Sequence, residues 1–215
     1  MAKDWSGNVR TTWAQLGASN HTEEDREEND YYATEPKAVE LLMNEETFDG
    51  TIWENCCGEG HLAEPMKARG YEVVSTDLID RGYGRGGYNF FDCKECLGDN
   101  IVTNPPYKFS IEWVLHSLEL LQPGKKLALF LPIQFFESDS RYKKIFKKFP
   151  PKTVYIAVNR LLCAKNGDFY ERDDTGNVIY KKDGTPKTIS SAKAYAWFVW
   201  VKGDYGDIKV KFINT

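Results

Sequence analysis

Asn104-Pro105-Pro106-Tyr107 follows the apolar run Ile101-Val102-Thr103. It combines a side-chain carbonyl acceptor, two rigid prolines and an aromatic face with a polar tip. The prolines fix two φ angles, remove two backbone donors and press each preceding residue toward extended geometry, so the segment is stiff and its carbonyls face a site. Such a set can accept both N–H bonds of an amino group and stack on the planar ring that bears it. The chemistry it suits is transfer to an exocyclic nitrogen. Asn-Pro-Pro also serves as a plain turn closing a strand, so the rest of the chain has to decide between the two readings.

A second constellation lies upstream. Glu54-Asn55-Cys56-Cys57-Gly58-Glu59-Gly60 joins an apolar strand pattern to a helix beginning near His61. Glycines there allow a tight turn and let a ligand approach the backbone at a helix N-terminus. Asp77 comes 17 residues after Gly60, at the end of the next strand, where a carboxylate can accept from both hydroxyls of a ribose. Leu62-Ala63-Glu64 stand where a dinucleotide fingerprint would place its third glycine, so an adenosine cofactor other than NAD is favoured. A lone Asp is more often a helix cap. Only the joint spacing of Asp77 and Asp92 with the glycine loop raises them above that.

These residues require strands that end together. Strands are expected over 51–56, 72–76, 101–103, 127–131 and 154–158, alternating with helices over 62–69, 110–121 and 138–149, and a first helix starting near Thr34 as cap with Pro36 in its first turn. Continuous apolar strands between helices imply a mostly parallel sheet covered on both faces. Ala194 to Val201 and Ile208 to Ile213, joined by a short Gly-bearing loop, predict an antiparallel hairpin at the end. Between Cys163 and Lys193, the turn signals Asn166-Gly167, Thr175-Gly176-Asn177 and Asp183-Gly184 suggest a protruding β-ribbon inserted into the domain. The expected organisation is a polar arm over residues 1–30 and one α/β domain over 31–215, with the ribbon at about 163–193.

Composition narrows the classes. The chain has 215 residues, enough for one α/β domain with a substantial core. No apolar stretch approaches the roughly 18 residues of a membrane helix, and Lys3, Asp4 and Trp5 are not a secretion signal. A cytoplasmic setting without membrane attachment is expected. Five cysteines, an odd number, predict reduced thiols rather than a disulfide framework. The Cys93/Cys96 pair lacks a second pair, and His21, His61 and His116 are not spaced to complete a zinc site, so no metal is expected. The net charge is −4, unusual for a protein that grips nucleic acid across a whole face. Yet Arg141, Lys143, Lys144, Lys147 and Lys148 crowd one short stretch, and Arg160 and Lys165 lie beyond it. They are candidates for phosphate contact, or else a solvated helix face.

Taken together, these motifs resemble the S-adenosylmethionine-dependent amino methyltransferases, and within them the small adenine-N6 DNA methyltransferases common in phages and prophages. Asp30-Tyr31-Tyr32-Ala33-Thr34-Glu35-Pro36 is similar to the segment that lies against the methionine part of the cofactor, which makes Tyr32, Thr34 and Pro36 candidate cofactor residues. Glu54, Gly58 and Gly60 match the glycine loop, Asp77 with Leu78 the ribose position, and Phe91-Asp92 the pair that contacts the adenine ring. Asn104, Pro105, Pro106 and Tyr107 match the catalytic motif. Ala194 to Gly203 resembles a late strand of these enzymes, so the likeness runs from about Tyr31 to Ile213. It implies a Rossmann-like methyltransferase fold with a seven-stranded sheet, S-adenosylmethionine as cofactor and DNA as partner, in a phage or restriction-modification setting. Departures are Cys56-Cys57 in the glycine loop and the Gly-rich stretch of Gly82, Gly84, Gly86 and Gly87 before Phe91-Asp92.

In the family's mechanism the Asn104 side-chain oxygen and the Pro105 carbonyl would accept the two N–H bonds of a flipped adenine, with Tyr107 stacked on the base. RNA adenine-N6, cytosine-N4 and protein glutamine-N5 methyltransferases share parts of the motif and stand as alternatives. Asn at the first motif position favours adenine, and a short arm in place of a helical recognition domain disfavours the protein-modifying kind. An inactive nucleic-acid-binding module is the alternative from another class.

Overall fold

A computed structural model describes residues 32–165, 167–191 and 193–214, with the side chain of Lys165 outside the description. The arm expected over residues 1–30 lies outside the described residues.

Seven strands form one sheet: β2 (Ile52–Glu54), β3 (Val73–Ser75), β4 (Asn100–Thr103), β5 (Lys126–Pro132), β6 (Thr153–Ala157), β8 (Tyr195–Val201) and β9 (Lys209–Ile213). Their order is β3-β2-β4-β5-β8-β6-β9. All run parallel except β8, which pairs antiparallel with β5 from Lys126↔Val201 to Pro132↔Tyr195 and with β6 on its other side. A separate two-stranded sheet joins β1 (Tyr32–Thr34) to β7 (Cys163–Lys165). The helices are α1 (Pro36–Glu45), α2 (Ala63–Ala68), α3 (Ser110–Leu120) and the single turn α4 (Asp139–Arg141), which widens into a π-turn over Tyr142–Phe146.

The central strands are mostly apolar because both faces of the sheet are covered there, whereas the edge strand β9 leaves Lys209 to Phe212 exposed, and the period of two deals successive side chains to opposite sides. Ile52, Val102, Ala128, Phe130 and Trp197 face one core with Val39 and Leu42 of α1 and Met66 of α2. Trp53, Ile101, Leu127, Leu129 and Phe198 face the other with Trp113, Val114 and Leu118 of α3. Buried Trp197 also donates its indole N–H to the Ala38 carbonyl at 2.7 Å, which ties α1 to the sheet.

Three expectations change in detail. Val201 and Lys209 do begin and end the turn between oppositely directed strands, but β6 lies between β8 and β9, so the two do not pair as a hairpin. The loop is long enough to carry the chain across one strand. Thr34 does not cap α1: it belongs to β1, and the cap position falls to Glu35, whose side chain makes no capping bond. The basic helix expected over 138–149 is regular only from Asp139 to Arg141 before the turns widen.

Candidate functional site

The chain leaves β2 for β3 on one side and then crosses to β4 on the other. Loops after β2 and β4 therefore diverge, and the crevice between them at the strands' carboxyl ends is where open α/β sheets bind ligands. A cleft of about 350 Å³ lies there, bounded by Glu54 to Cys57 and His61-Leu62 after β2, by Asp77, Leu78, Ile79 and Arg81 after β3, and by Asn104 to Tyr107 with Phe109 after β4. Tyr32 to Thr34, the segment Tyr88 to Phe91, and Trp113 complete its wall.

Asp77 organises one half of this cleft. Gly58, with φ at +53°, turns its N–H onto Asp77 Oδ2 at 2.8 Å, and the Ile79 N–H reaches Oδ1 at 3.0 Å. Each carboxylate oxygen keeps further acceptor capacity. Gly60, at φ +87°, is needed for another reason: a Cβ there would lie 2.6 Å from the Tyr83 ring. The glycines thus serve the loop's own closure onto Asp77 and Tyr83.

In the other half, Asn104 is pinned by one end. Its Nδ2 donates to Thr34 Oγ1 at 2.8 Å and to the Tyr32 carbonyl at 3.2 Å, while its Oδ1 is buried without a hydrogen-bond partner. Asn55 is held in the opposite sense, its Oδ1 accepting from the Trp113 indole at 3.2 Å and its Nδ2 left buried and unpartnered. Glu54 Oε2 is likewise buried and unpartnered. An orphaned buried polar group costs about 1–3 kcal/mol, a large fraction of a domain's total stability of roughly 5–15 kcal/mol. Three residues lining one cleft with such atoms indicate groups kept for a ligand. The set contains an amide oxygen, an amide nitrogen and a carboxyl oxygen.

Burial pushes the Glu54 carboxyl well above the usual carboxylate range, and the nearby Asp77 charge adds to it. The folded protein therefore holds a proton where the unfolded chain, near 4.5, has lost it. This contribution to stability is present below that value and is lost as pH rises through the folded pKa. Glu54→Gln removes the ionisation, so thermal melts between pH 5 and 8 should show a smaller fall of Tm for the variant than for the wild type. Parallel pH profiles would contradict the assignment.

The thiols beside the cleft are held in the protonated form. Burial raises Cys56 well above its ordinary value and Cys57 to about 12, and burial likewise raises Cys163 to about 11. A thiol is nucleophilic as thiolate, and these three stay protonated at neutral pH. Tyr107 is also held protonated, by burial first and by Cys163 second.

Of the residues singled out in the sequence, Tyr32, Thr34, Glu54, Asp77, Leu78, Phe91, Asn104, Pro105, Pro106 and Tyr107 line the cleft. Pro36 does not: it starts α1. Gly58 and Gly60 act through Asp77 and Tyr83. Asp92 is exposed and accepts from Asn89 Nδ2 at 3.0 Å, while Asn89 Oδ1 caps the turn Phe90–Asp92 by accepting from the Phe91 N–H. Phe91 is the member of that pair on the cleft, edge-on to Trp113 at 5.0 Å and to Phe109 at 6.0 Å. Asn55, named in the glycine loop but given no role, and Trp113 were not among the candidates; the position of Asn55 beside Glu54 at a strand end was its one signal.

None of the basic candidates lines the cleft. Arg141 is spent on the Gln134 and Glu137 carbonyls, at 3.0 and 2.7 Å, and covers the Phe135 ring. Lys143 pairs with Asp139 at 2.7 Å, Arg160 donates to the Ser191 carbonyl at 2.7 Å, and the Lys165 side chain lies outside the description. Lys144, Lys147 and Lys148 are exposed. The Phe149 carbonyl just after them accepts from Trp200, which pairs with Leu127 at the start of β5. That end of the segment therefore sits at the end of the strands opposite the cleft.

No protein-family model matches the chain, and no curated protein matches its sequence. Among solved structures, a protein from Lactococcus lactis described as a hemolysin aligns at 12% identity over 82% of this chain and 91% of its own, with a TM-score of 0.51. A protein from Listeria monocytogenes described as a class I S-adenosylmethionine-dependent methyltransferase aligns at 12% identity over 81% of this chain and 62% of its own, with a TM-score of 0.47. The M protein of the type I restriction enzyme EcoKI aligns at 12% identity over 79% and 42%, with a TM-score of 0.48. The chain thus spans less than two thirds of the length of the last two. At such identities the likeness is one of fold, and the fold is Rossmann-like.

Proposed function

We propose that this chain transfers a methyl group from S-adenosylmethionine to the exocyclic N6 amine of adenine in DNA, on a base turned out of the duplex. The observation that carries the reading is Asn104 Oδ1, a buried acceptor without a partner at the first position of Asn-Pro-Pro-Tyr. The adenine amine is a poor nucleophile because its lone pair is shared with the ring. Acceptors for both N–H bonds draw that pair out of the ring as nitrogen becomes tetrahedral, and they stabilise the positive charge that develops. Asn104 Oδ1 takes one bond and the Pro105 carbonyl the other, since the following turn uses the Pro106 carbonyl for the Phe109 N–H at 2.9 Å.

S-adenosylmethionine, when bound, supplies an electrophilic methyl on a sulfonium, and the orphaned groups fit its other end. Glu54 Oε2 would accept from the cofactor's ammonium, whose positive charge favours the carboxylate over the protonated form held in the free site, Asn55 Nδ2 would donate to its carboxylate, and Asp77 would accept from ribose hydroxyls. Phe91 and Leu78 give the apolar wall for an adenine ring. Nitrogen gains the methyl carbon as the carbon–sulfur bond breaks, and the amine's proton leaves to water. Tyr107 stacks on the extruded base, and stacking with two hydrogen bonds offsets the few kcal/mol of unpairing.

For DNA contact the reading favours the ribbon over the lysine stretch. Three backbone segments of the ribbon bond in a ring, with the Glu171 N–H to Lys187 O, the Ile179 N–H to Glu171 O and the Lys187 N–H to Ile179 O. Its root touches the cleft through Phe169, edge-on to His61 at 5.6 Å, and it exposes Tyr180, Lys181 and Lys182. Excising Arg172 to Pro186 while keeping that root should leave cofactor affinity intact and erase the preference among duplexes of different sequence. Unchanged preference removes the ribbon from recognition. The substrate itself is tested by label transfer to duplex DNA, single-stranded DNA, RNA and protein in parallel. Label confined to RNA or protein would overturn the reading.

A further inference from the structure

Asn104 serves as an acceptor only if its amide faces one way, and the groups around Nδ2 decide which. Nδ2 sits 2.8 Å from Thr34 Oγ1, 3.2 Å from the Tyr32 carbonyl and 3.7 Å from Cys163 Sγ. A reversed amide would set Oδ1 against the Tyr32 carbonyl, acceptor against acceptor. Thr34 and Cys163 meet because β1 pairs antiparallel with β7 in a register that places them opposite each other, and their Oγ1 and Sγ lie 3.7 Å apart. The same thiol is 3.4 Å from the Tyr107 hydroxyl. One short strand pair outside the main sheet therefore holds the first and the last residue of the motif.

We propose that Thr34 and Cys163 are positioning residues for methyl transfer: the paired strands β1 and β7 fix the Asn104 amide so that Oδ1, and not Nδ2, meets the substrate amine. This role rests on Asn104 as the catalytic acceptor and gives Thr34 a task other than cofactor contact. It also places the ribbon's root, β7, in the catalytic machinery.

Thr34→Val is nearly isosteric and removes the nearer of the two oxygen acceptors for Nδ2. With the amide held by the Tyr32 carbonyl alone, kcat should fall by about 10- to 100-fold, the loss typical of a misplaced reacting group. Cofactor Kd and the KM for DNA should stay within about threefold of wild type, because a group felt only in the transition state lowers kcat alone. Thr34→Ser keeps the hydroxyl and should restore kcat. Cys163→Ala, which leaves Thr34 in place, should lower kcat less than Thr34→Val. In the free protein the Asn104 side-chain amide protons should exchange slowly with water, and Thr34→Val should make them exchange fast. Unchanged kcat in Thr34→Val overturns the proposal, as does a loss that Thr34→Ser shares or that appears equally in cofactor Kd. Wild-type protein unable to methylate DNA, with the cofactor bound, overturns the reading beneath it, a result distinct from an active wild type with an indifferent Thr34→Val.

Discussion

Asn104→Ala should lower kcat for methyl transfer to DNA by about 10²–10³-fold, the effect of deleting one preorganised transition-state hydrogen bond. Cofactor affinity should change little. Oδ1 is buried and unpartnered in the free protein; on the proposed reading its hydrogen bond would form with the substrate amine, whose N–H donors strengthen as nitrogen becomes positive. Truncation also removes Nδ2 from Thr34 and the Tyr32 carbonyl, which loosens β1 and lowers Tm modestly. Rapid single-turnover measurement with labelled cofactor separates the two effects. An Asn104→Ala protein that transfers methyl at the wild-type rate would remove this residue from the chemistry.

Asp77→Ala should weaken cofactor binding by at least about 100-fold. Hydrogen bonds to a charged group are worth about 1.5–3 kcal/mol each, so losing both ribose contacts gives about 3 kcal/mol or more, where every 1.4 kcal/mol is tenfold. The carboxylate also holds the Gly58 and Ile79 N–H groups, so the glycine loop loses its anchor at the same time. Asp77→Asn keeps one acceptor oxygen and should fall between the two. Titration calorimetry with S-adenosylmethionine reads the affinity directly, and Asp77→Ala binding as tightly as wild type would rule out the ribose assignment.

Much of this architecture was legible because β-strands buried on both faces have a simple signature. Ile101-Val102 and Leu127 to Leu131 are apolar runs, and each proved to lie in a central strand. The placement of residues at strand ends followed: Glu54, Asp77 and Asn104 stand at or just after the ends of β2, β3 and β4, and the switch in strand order brings all three to one cleft. What could not be read depends on contacts between distant segments. Thr34 carries the composition of a helix cap, yet Asn104, 70 residues away, competes for its hydroxyl. Cys163 has no sequence signal at all. It reaches Asn104 and Tyr107 only through the β1–β7 register.

Phe91-Asp92 shows a motif half kept. Asn89 caps the turn and draws Asp92 outward, so the aromatic residue alone reaches the cleft. The run of basic residues was legible as charge but not as place. A lysine stretch shows its composition in sequence, whereas its position relative to the cleft is set by how far the connection from β5 to β6 runs back along the sheet before Phe149 meets Trp200.

The central claim is adenine-N6 methylation dependent on Asn104. Plasmid DNA recovered from cells that lack adenine methylation of their own, expressing either the wild-type chain or Asn104→Ala, can be digested to nucleosides and analysed by mass. The account predicts N6-methyldeoxyadenosine with the wild-type chain and its loss with the variant. Equal amounts with both proteins, a methylated cytosine instead, or no methylated nucleoside from a wild-type protein that binds S-adenosylmethionine would contradict it.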